Sequence, residues 1–398
     1  MTVVVYYIYR MIARLYIVVG FICLFYATNV SGQYYRVFRS LTVENGLSQS
    51  NINEIIQDKS GYIWIATNYG LNRFNGYSVE IFNNDRRGKY SIPSFICRTI
   101  VIDTNGFPLI STDGLSSYDE AQDRFIMLDT SFTASGSSLA VDSCHNIWIN
   151  EYSSTLKFFN RDTKEFTSFK KGNNKNNLSG ATIRSFKYDG RNIWILYEDT
   201  EVVDRLDIQL FYRNNQTASV KRYQCSESMK KICIALDQIY FITGPSVYRY
   251  DARTDSIVLF IRSLNELYIN DIAWHSNRIW LSTRNGLLEC DPQFSIINHF
   301  TSQNTNLATN NISGVFVDMS GIVWCATSLG VYYTDLYAKQ FRAYKPGVSL
   351  PGMQFTSKDV TGIGCDPKGV FWVKGDNGLM FLDEKKNTIT DLSTFPAD

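Results

Sequence analysis

Histidine is nearly absent from this 398-residue chain: three residues, His145, His275 and His299, none spaced from another as metal ligands are. Cysteine occurs eight times, always singly (Cys23, Cys97, Cys144, Cys225, Cys233, Cys290, Cys325 and Cys365). With no C-x-x-C and no adjacent pair, zinc-ribbon and dithiol chemistry have no motif to rest on, and most of these residues read as small buried hydrophobes. A Cys225–Cys233 bridge stays open as an alternative. No G-x-S-x-G, Walker loop or Rossmann fingerprint occurs. Excess charge is also missing: the formal net charge is +1, and no basic run or basic amphipathic helix is present. Such a chain has no electrostatic footprint for nucleic acid or an acidic membrane surface. The expectation is therefore no catalytic residue, no metal and no cofactor.

What is present is a repeat. Asp58 to Phe74 reads DKSGYIWIATNYGLNRF, and Asp318 to Thr334 reads DMSGIVWCATSLGVYYT. Asp58, Gly61, Trp64, Thr67 and Gly70 sit over Asp318, Gly321, Trp324, Thr327 and Gly330. A third copy keeps Asp366, Gly369, Trp372 and Gly378. Each copy reads as turn, apolar strand with a central Trp, turn and further strand. Four antiparallel strands in about 44 residues make a propeller blade, and blades must pack on one another to bury both faces. The Trp position continues through weaker copies as Trp64, Leu109, Trp148, Trp194, Tyr240, Trp280, Trp324 and Trp372. Leu47-Ser48, Leu178-Ser179 and Leu307 each precede an inner strand by a five-residue step, a polar crossover loop between blades.

In chain order, residues 1–32 read as a secretory signal peptide: Arg10 and Arg14, an apolar run from Leu15 to Tyr26, then small residues. Tyr35 to Leu41 is a lone strand, expected to complete the last blade and so remove an exposed edge. Seven blades fill 33–345. Residues 346–352 form a Pro/Gly linker, and 353–398 is an eighth copy without the crossover loop. Either the ring has eight blades, or a seven-bladed ring is followed by the first blade of an incomplete second propeller. The linker and the missing loop favour the second. The expected class is all-β.

The repeated Asp residues invite a calcium or catalytic reading, but recurrence in one slot points to turn capping. The Trp residues invite a glycan platform, but recurrence again points to the core between blades. Trp274, placed by spacing in the Asp slot of the sixth copy and therefore on a turn, is the exception. Tyr69, Tyr152 and Tyr197 fall near the next turn. These four are the candidates for stacking on a sugar.

The composite Gly-Leu-Ser, then Asp-x-x-Gly-x-(Ile/Val)-Trp-x-x-Thr, then Gly-Leu-x-Arg-Phe pattern resembles the two-component regulator propeller repeat. That repeat is typical of periplasmic sensor regions of hybrid two-component systems in gut Bacteroidetes. The resemblance covers 34–398, strongest in copies one, seven and eight. It implies a periplasmic sensor for glycan breakdown products, with an oligosaccharide ligand and self-association of ectodomains. The kinase, the membrane helix and the DNA-binding domain would lie outside this chain, which would itself be non-catalytic. A periplasmic propeller enzyme acting on glycans and a protein-interaction scaffold are the rival classes.

Overall fold

A computed structural model describes residues 36–84, 91–129, 138–151, 155–172, 177–198, 200–214, 219–262, 267–335, 349–350, 353–354, 359–366, 370–376, 378–383 and 388–391. The signal-peptide segment and most of the linker lie outside them. The described strands form eight four-stranded antiparallel sheets and one two-stranded hairpin. Contacts divide the chain into two compact units.

The unit Arg36–Ala338 holds seven of the sheets. Sheet one is Ile52–Gln57, Ile63–Thr67, Gly70–Phe74 and Val79–Phe82. Sheet two runs from Thr99–Ile102 to Arg124–Asp129, sheet three from Leu139–Val141 to Phe166–Lys170, and sheet four from Ile183–Tyr188 to Val220–Gln224. Sheet five runs from Lys231–Ala235 to Ser256–Ile261, and sheet six from Ile269–His275 to Ile296–Phe300. Sheet seven combines Ile312–Val317, Ile322–Thr327 and Gly330–Asp335 with Arg39–Leu41 from the start of the chain. The first strand of each sheet touches the first strand of the next, and sheet seven returns to sheet one. This is a propeller-like arrangement with the first strands innermost.

Seven apolar clusters seal the junctions between consecutive sheets. The second strand of each sheet lies between two such clusters, which explains its uninterrupted apolar run. Ile63 to Thr67 is buried throughout. Trp64, Trp148, Trp194 and Trp280 are 0% exposed and Trp324 2%, with Leu109 and Tyr240 equally sealed in the same slot.

Closure by the N-terminal strand is visible in the register: Arg39, Ser40 and Leu41 pair with Tyr333, Tyr332 and Val331. Gly330, at φ +119, lies against the Leu41 carbonyl so closely that a Cβ would sit 2.5 Å from it. Gly70 and Gly286 meet Phe82 O and Phe300 O, the outer strands of their own sheets, in the same way. The N-terminal strand thus occupies an outer-strand position.

Two features depart from the sequence reading. Sheet four carries a short α-helix, Ile208–Arg213, capped by Asp207, whose side chain accepts from Leu210 N at 3.0 Å. Phe211 fills the junction against Trp148 at 5.1 Å between ring centroids, so this insertion is core rather than loop. The other departure is Trp372, which the repeat places in the core but which is 41% exposed. Its sheet, Val360–Cys365 to Thr388–Asp391, belongs to the second unit. That unit contains no other four-stranded sheet among the described residues to seal the ring. Gly369 lies outside the described residues.

All seven described cysteines are free thiols, Cys225 and Cys233 among them, so the bridge left open above is absent. Five are buried, and burial pushes Cys225 up to about 11 and Cys290 up to about 12.

Candidate functional site: a charged belt in the central channel

The repeated Asp does more than cap a turn. Asp58 accepts from Ser60 N and Tyr62 N, and its second oxygen takes the Trp64 indole N–H at 2.7 Å. Asp142–Trp148, Asp189–Trp194 and Asp318–Trp324 repeat the indole bond at 2.7, 2.7 and 2.9 Å. A buried indole needs such a partner. Sheet two has Leu109 in the slot, and Asp103 there takes the Arg161 guanidinium at 2.9 Å instead. These Asp residues are thereby committed to the scaffold.

Because the Trp slot fixes the register, it also fixes which inner-strand residues share a level. Opposite it on the innermost strands stand Ile56, Val101, Ala140, Lys187, Cys233, Ala273 and Phe316. Two residues earlier on each strand, on the same side of the sheet, lie Glu54, Thr99, Ser138, Ser185, Lys231, Asp271 and Gly314. That level is a polar belt. The level between, from Ile55 to Val315, is apolar and buried in the sheet junctions.

Two acids organise the belt. Glu54 accepts from Thr99 Oγ1 and Ile100 N, both at 3.2 Å, and pairs with Lys187 Nζ at 3.4 Å. Asp271 pairs with Lys231 Nζ at 2.6 Å and accepts from Val315 N at 3.4 Å and Cys233 Sγ at 3.3 Å. Each carboxylate therefore ties its own strand to neighbouring strands and holds a lysine in the channel. Desolvation works most strongly on the Lys231 ammonium and lowers it, but Asp271, Cys233 and Glu54 together raise the lysine above its ordinary value.

The channel encloses a cavity of about 730 Å³, within the ordinary range for a small-molecule site. Glu54, Arg98, Lys187, Lys231, Asp271 and Trp274 all line it. Arg98 is exposed, stands just before the inner strand of sheet two, and has no hydrogen-bond or ion-pair partner among the described residues.

The four aromatic candidates separate. Trp274 is 42% exposed and lines the channel, but it sits in the strand Ile269–His275 rather than on a turn. Ala273 pairs with Trp280 as Lys187 pairs with Trp194, so His275, not Trp274, occupies the Asp slot. The sixth turn is as short as the fourth. Consistent with this, the buried Trp280 Nε1 has no partner among the described residues. Tyr69 is 50% exposed and stacks on Phe95 at 5.3 Å with an interplanar angle of 14°.

It lies at the end of the ring where inner strands begin, since Ile52 pairs with Thr67, whereas Trp274 is near the end of its inner strand. The structure does not bring the two together. Tyr197 takes the Thr67 position of sheet four, is 1% exposed, and donates to Asp204 at 2.6 Å. Its ring has no free face, which removes it as a stacking platform. Tyr152 lies outside the described residues.

The sequence reading missed Glu54, Arg98, Lys187, Lys231 and Asp271. A signal existed: INEI at 52–55 recurs as INDI at 269–272, placing an acid at the same step of two copies.

Comparison with known proteins follows the same lines. Residues 46–69 match the family described as two component regulator propeller. Over 56 residues the chain is 45% identical to Histidine kinase P4 of Formosa agariphila, a match covering 14% of this chain and 4% of that protein. The extracellular domain of a protein described as a hybrid two component system from B. thetaiotaomicron superposes with a TM-score of 0.64 at 19% identity. That match covers 89% of this chain and 49% of the other. Virginiamycin B lyase from Staphylococcus aureus superposes with a TM-score of 0.55 at 12% identity, over 75% of this chain and 98% of that one.

The chain spans about half of the solved extracellular domain and a small part of the kinase. Its class is thus an all-β, propeller-like protein built of four-stranded sheets. More particularly, it carries the two-component regulator propeller repeat and shares the fold of an extracellular domain of a hybrid two-component system.

Proposed function

We propose that this chain is the N-terminal part of a periplasmic sensor of a hybrid two-component system, recognising a glycan breakdown product without catalysing its turnover. In this reading the seven sheets of Arg36–Ala338 are one closed seven-bladed ring, residues 1–32 are an export signal, and the eighth sheet opens a second ring beyond a linker at 346–352. The observation that carries the reading is the match at 46–69, which covers the crossover loop, the capped turn and the buried Trp strand of one repeat unit. The register then repeats that unit around the ring. A signal would arise only if ligand binds one arrangement of the ectodomains better than another.

Two measurements test this. Sequencing the locus beyond Asp398 should reveal an in-frame kinase; a stop codon followed by unrelated genes would oppose the sensor reading. Calorimetry of the purified chain against oligosaccharides should show binding that Trp274→Ala weakens, with the sugars recovered unchanged. Cleavage of the sugar would instead favour an enzyme.

A further inference from the structure

Granting the sugar-sensing reading above, we infer that the central channel of the Arg36–Ala338 ring selects an acidic oligosaccharide, one bearing a carboxylate or a sulfate ester, with Arg98 as its anion-binding residue.

The cavity lining holds three cationic side chains, Arg98, Lys187 and Lys231, and two anionic ones, Glu54 and Asp271. Each acid is already matched by a lysine. Arg98 is the cation left over, with no ion-pair or hydrogen-bond partner among the described residues. A solvent-facing arginine on an outer surface would mean little. This one opens into a cavity whose wall includes the apolar side chains Ile55, Ile232, Ile272 and Val315 of sheets one, five, six and seven, and such low-dielectric walls strengthen the field of an enclosed charge. Both acids are also tied to backbone N–H groups of neighbouring strands, Ile100 N for Glu54 and Val315 N for Asp271. They are therefore poorly placed to swing over and neutralise Arg98.

The guanidinium offers a planar fork that meets a carboxylate or sulfate with two parallel hydrogen bonds. Along the axis, Arg98 and Trp274 lie on levels four residues apart when both are counted from the Trp-slot register. At about 3.3 Å per residue this is on the order of 13 Å. That span exceeds one pyranose ring, so a ligand using both the cation and the Trp274 face has several sugar units. Asn53, on the bulge beside Glu54, gives its amide hydrogens to Cys97 O and Asn68 Oδ1 at 2.8 and 3.0 Å. Its own Oδ1 remains an acceptor for a sugar hydroxyl.

The test is titration calorimetry of the full chain with trigalacturonate, a sulfated galactose trisaccharide and neutral galactotriose, at low and at high salt. The expected result is that one or both acidic trisaccharides bind, more weakly as salt rises, and that galactotriose binds at least about tenfold less tightly. Arg98→Ala should lower acidic-sugar affinity by roughly tenfold or more while leaving neutral-sugar affinity and the melting temperature unchanged, since Arg98 is exposed and has no partner among the described residues. Which acid binds better identifies the charged group. Equal affinity for galactotriose, or acidic-sugar binding indifferent to Arg98→Ala, would overturn the inference and leave the sugar-sensing reading intact. Failure of all three trisaccharides to bind would overturn the inference and count against sugar sensing as well.

Discussion

His275→Asp should stabilise the ring. In sheets one, three, four and seven the buried indole N–H is taken by an Asp carboxylate at 2.7 to 2.9 Å. In sheet six Trp280 is 0% exposed and its Nε1 has no partner among the described residues. Sheet four supplies the template. Asp189 reaches Trp194 across five residues and a two-residue turn, and His275 stands in the same relation to Trp280. A buried unmade hydrogen bond costs about 1–3 kcal/mol. Bringing an aspartate into the slot gives some of that back as desolvation, so the net gain should be about 1 kcal/mol, or about 2 °C in melting temperature for a unit of this size.

Urea unfolding followed by circular dichroism would measure it, in the native background and in Trp280→Phe. Phenylalanine has no N–H, so the gain must vanish there, and the coupling in that cycle is the hydrogen bond itself. Asp58→Ala, which strips Trp64 Nε1, Ser60 N and Tyr62 N of their acceptor, should cost about 3 kcal/mol. A His275→Asp variant that is no more stable than the native chain, or equally stabilised with and without the Trp280 N–H, would refute the reasoning.

Gly180→Ala should destabilise severely, because a Cβ there would lie 2.2 Å from the Tyr197 ring; adding Tyr197→Thr, the residue type of Thr67, should recover part of the loss in the same urea assay. Gly330→Ala should cost about 2 kcal/mol or more, from strain at φ +119 and the close Leu41 carbonyl, and hydrogen exchange should rise at Arg39–Leu41; unchanged exchange would separate that strand from the closure of sheet seven. Native alkylation should modify Cys144 and Cys365 and spare the five buried thiols, read by mass spectrometry. The Tyr197 hydroxyl is pushed up by burial and by Asp204. With the folded value above the unfolded one, its contribution is intact below about pH 10 and is lost as pH rises further, so melting temperature should fall above that pH, less steeply in Tyr197→Phe.

The parts of this fold that could be read from the chain were those whose physics repeats. A Trp that must be sealed between sheets, a Gly that must pass under a carbonyl and an Asp that must close a turn recur because every sheet faces the same problem. Spacing therefore located them without any knowledge of the partner atoms. The second role of the Asp, as acceptor for the indole, was not legible, since capping alone already explained its recurrence. The sixth copy was misread for a related reason. Counting back six residues from Trp280 reaches Trp274, but the two-residue turn at Ser276-Asn277 shortens the step to five. The helix Ile208–Arg213 was missed because a single insertion has no period to betray it.

The channel belt shows the complementary limit. Its level is occupied by Glu54, Thr99, Ser138, Ser185, Lys231, Asp271 and Gly314, seven positions with one register and little common chemistry. Glu54, Lys231, Asp271 and Gly314 of this level line the cavity, while Thr99 and Ser138 are buried and bonded to a neighbouring sheet, so packing demands nothing uniform of all seven. Departure from the repeat at a position where the backbone is strictly repeated is therefore informative in itself. Where the scaffold needs one residue type, the copies agree; at this level they disagree, and the two acids of the level hold lysines in ion pairs. A chain whose belt were replaced by Thr and Ser throughout, with Arg98 retained, should fold if the new hydroxyls assume the strand-tying bonds now made by Glu54 and Asp271. If that variant also bound every sugar as the native chain does, the belt would be scaffold alone, and recognition in the channel would rest on Arg98 and Trp274.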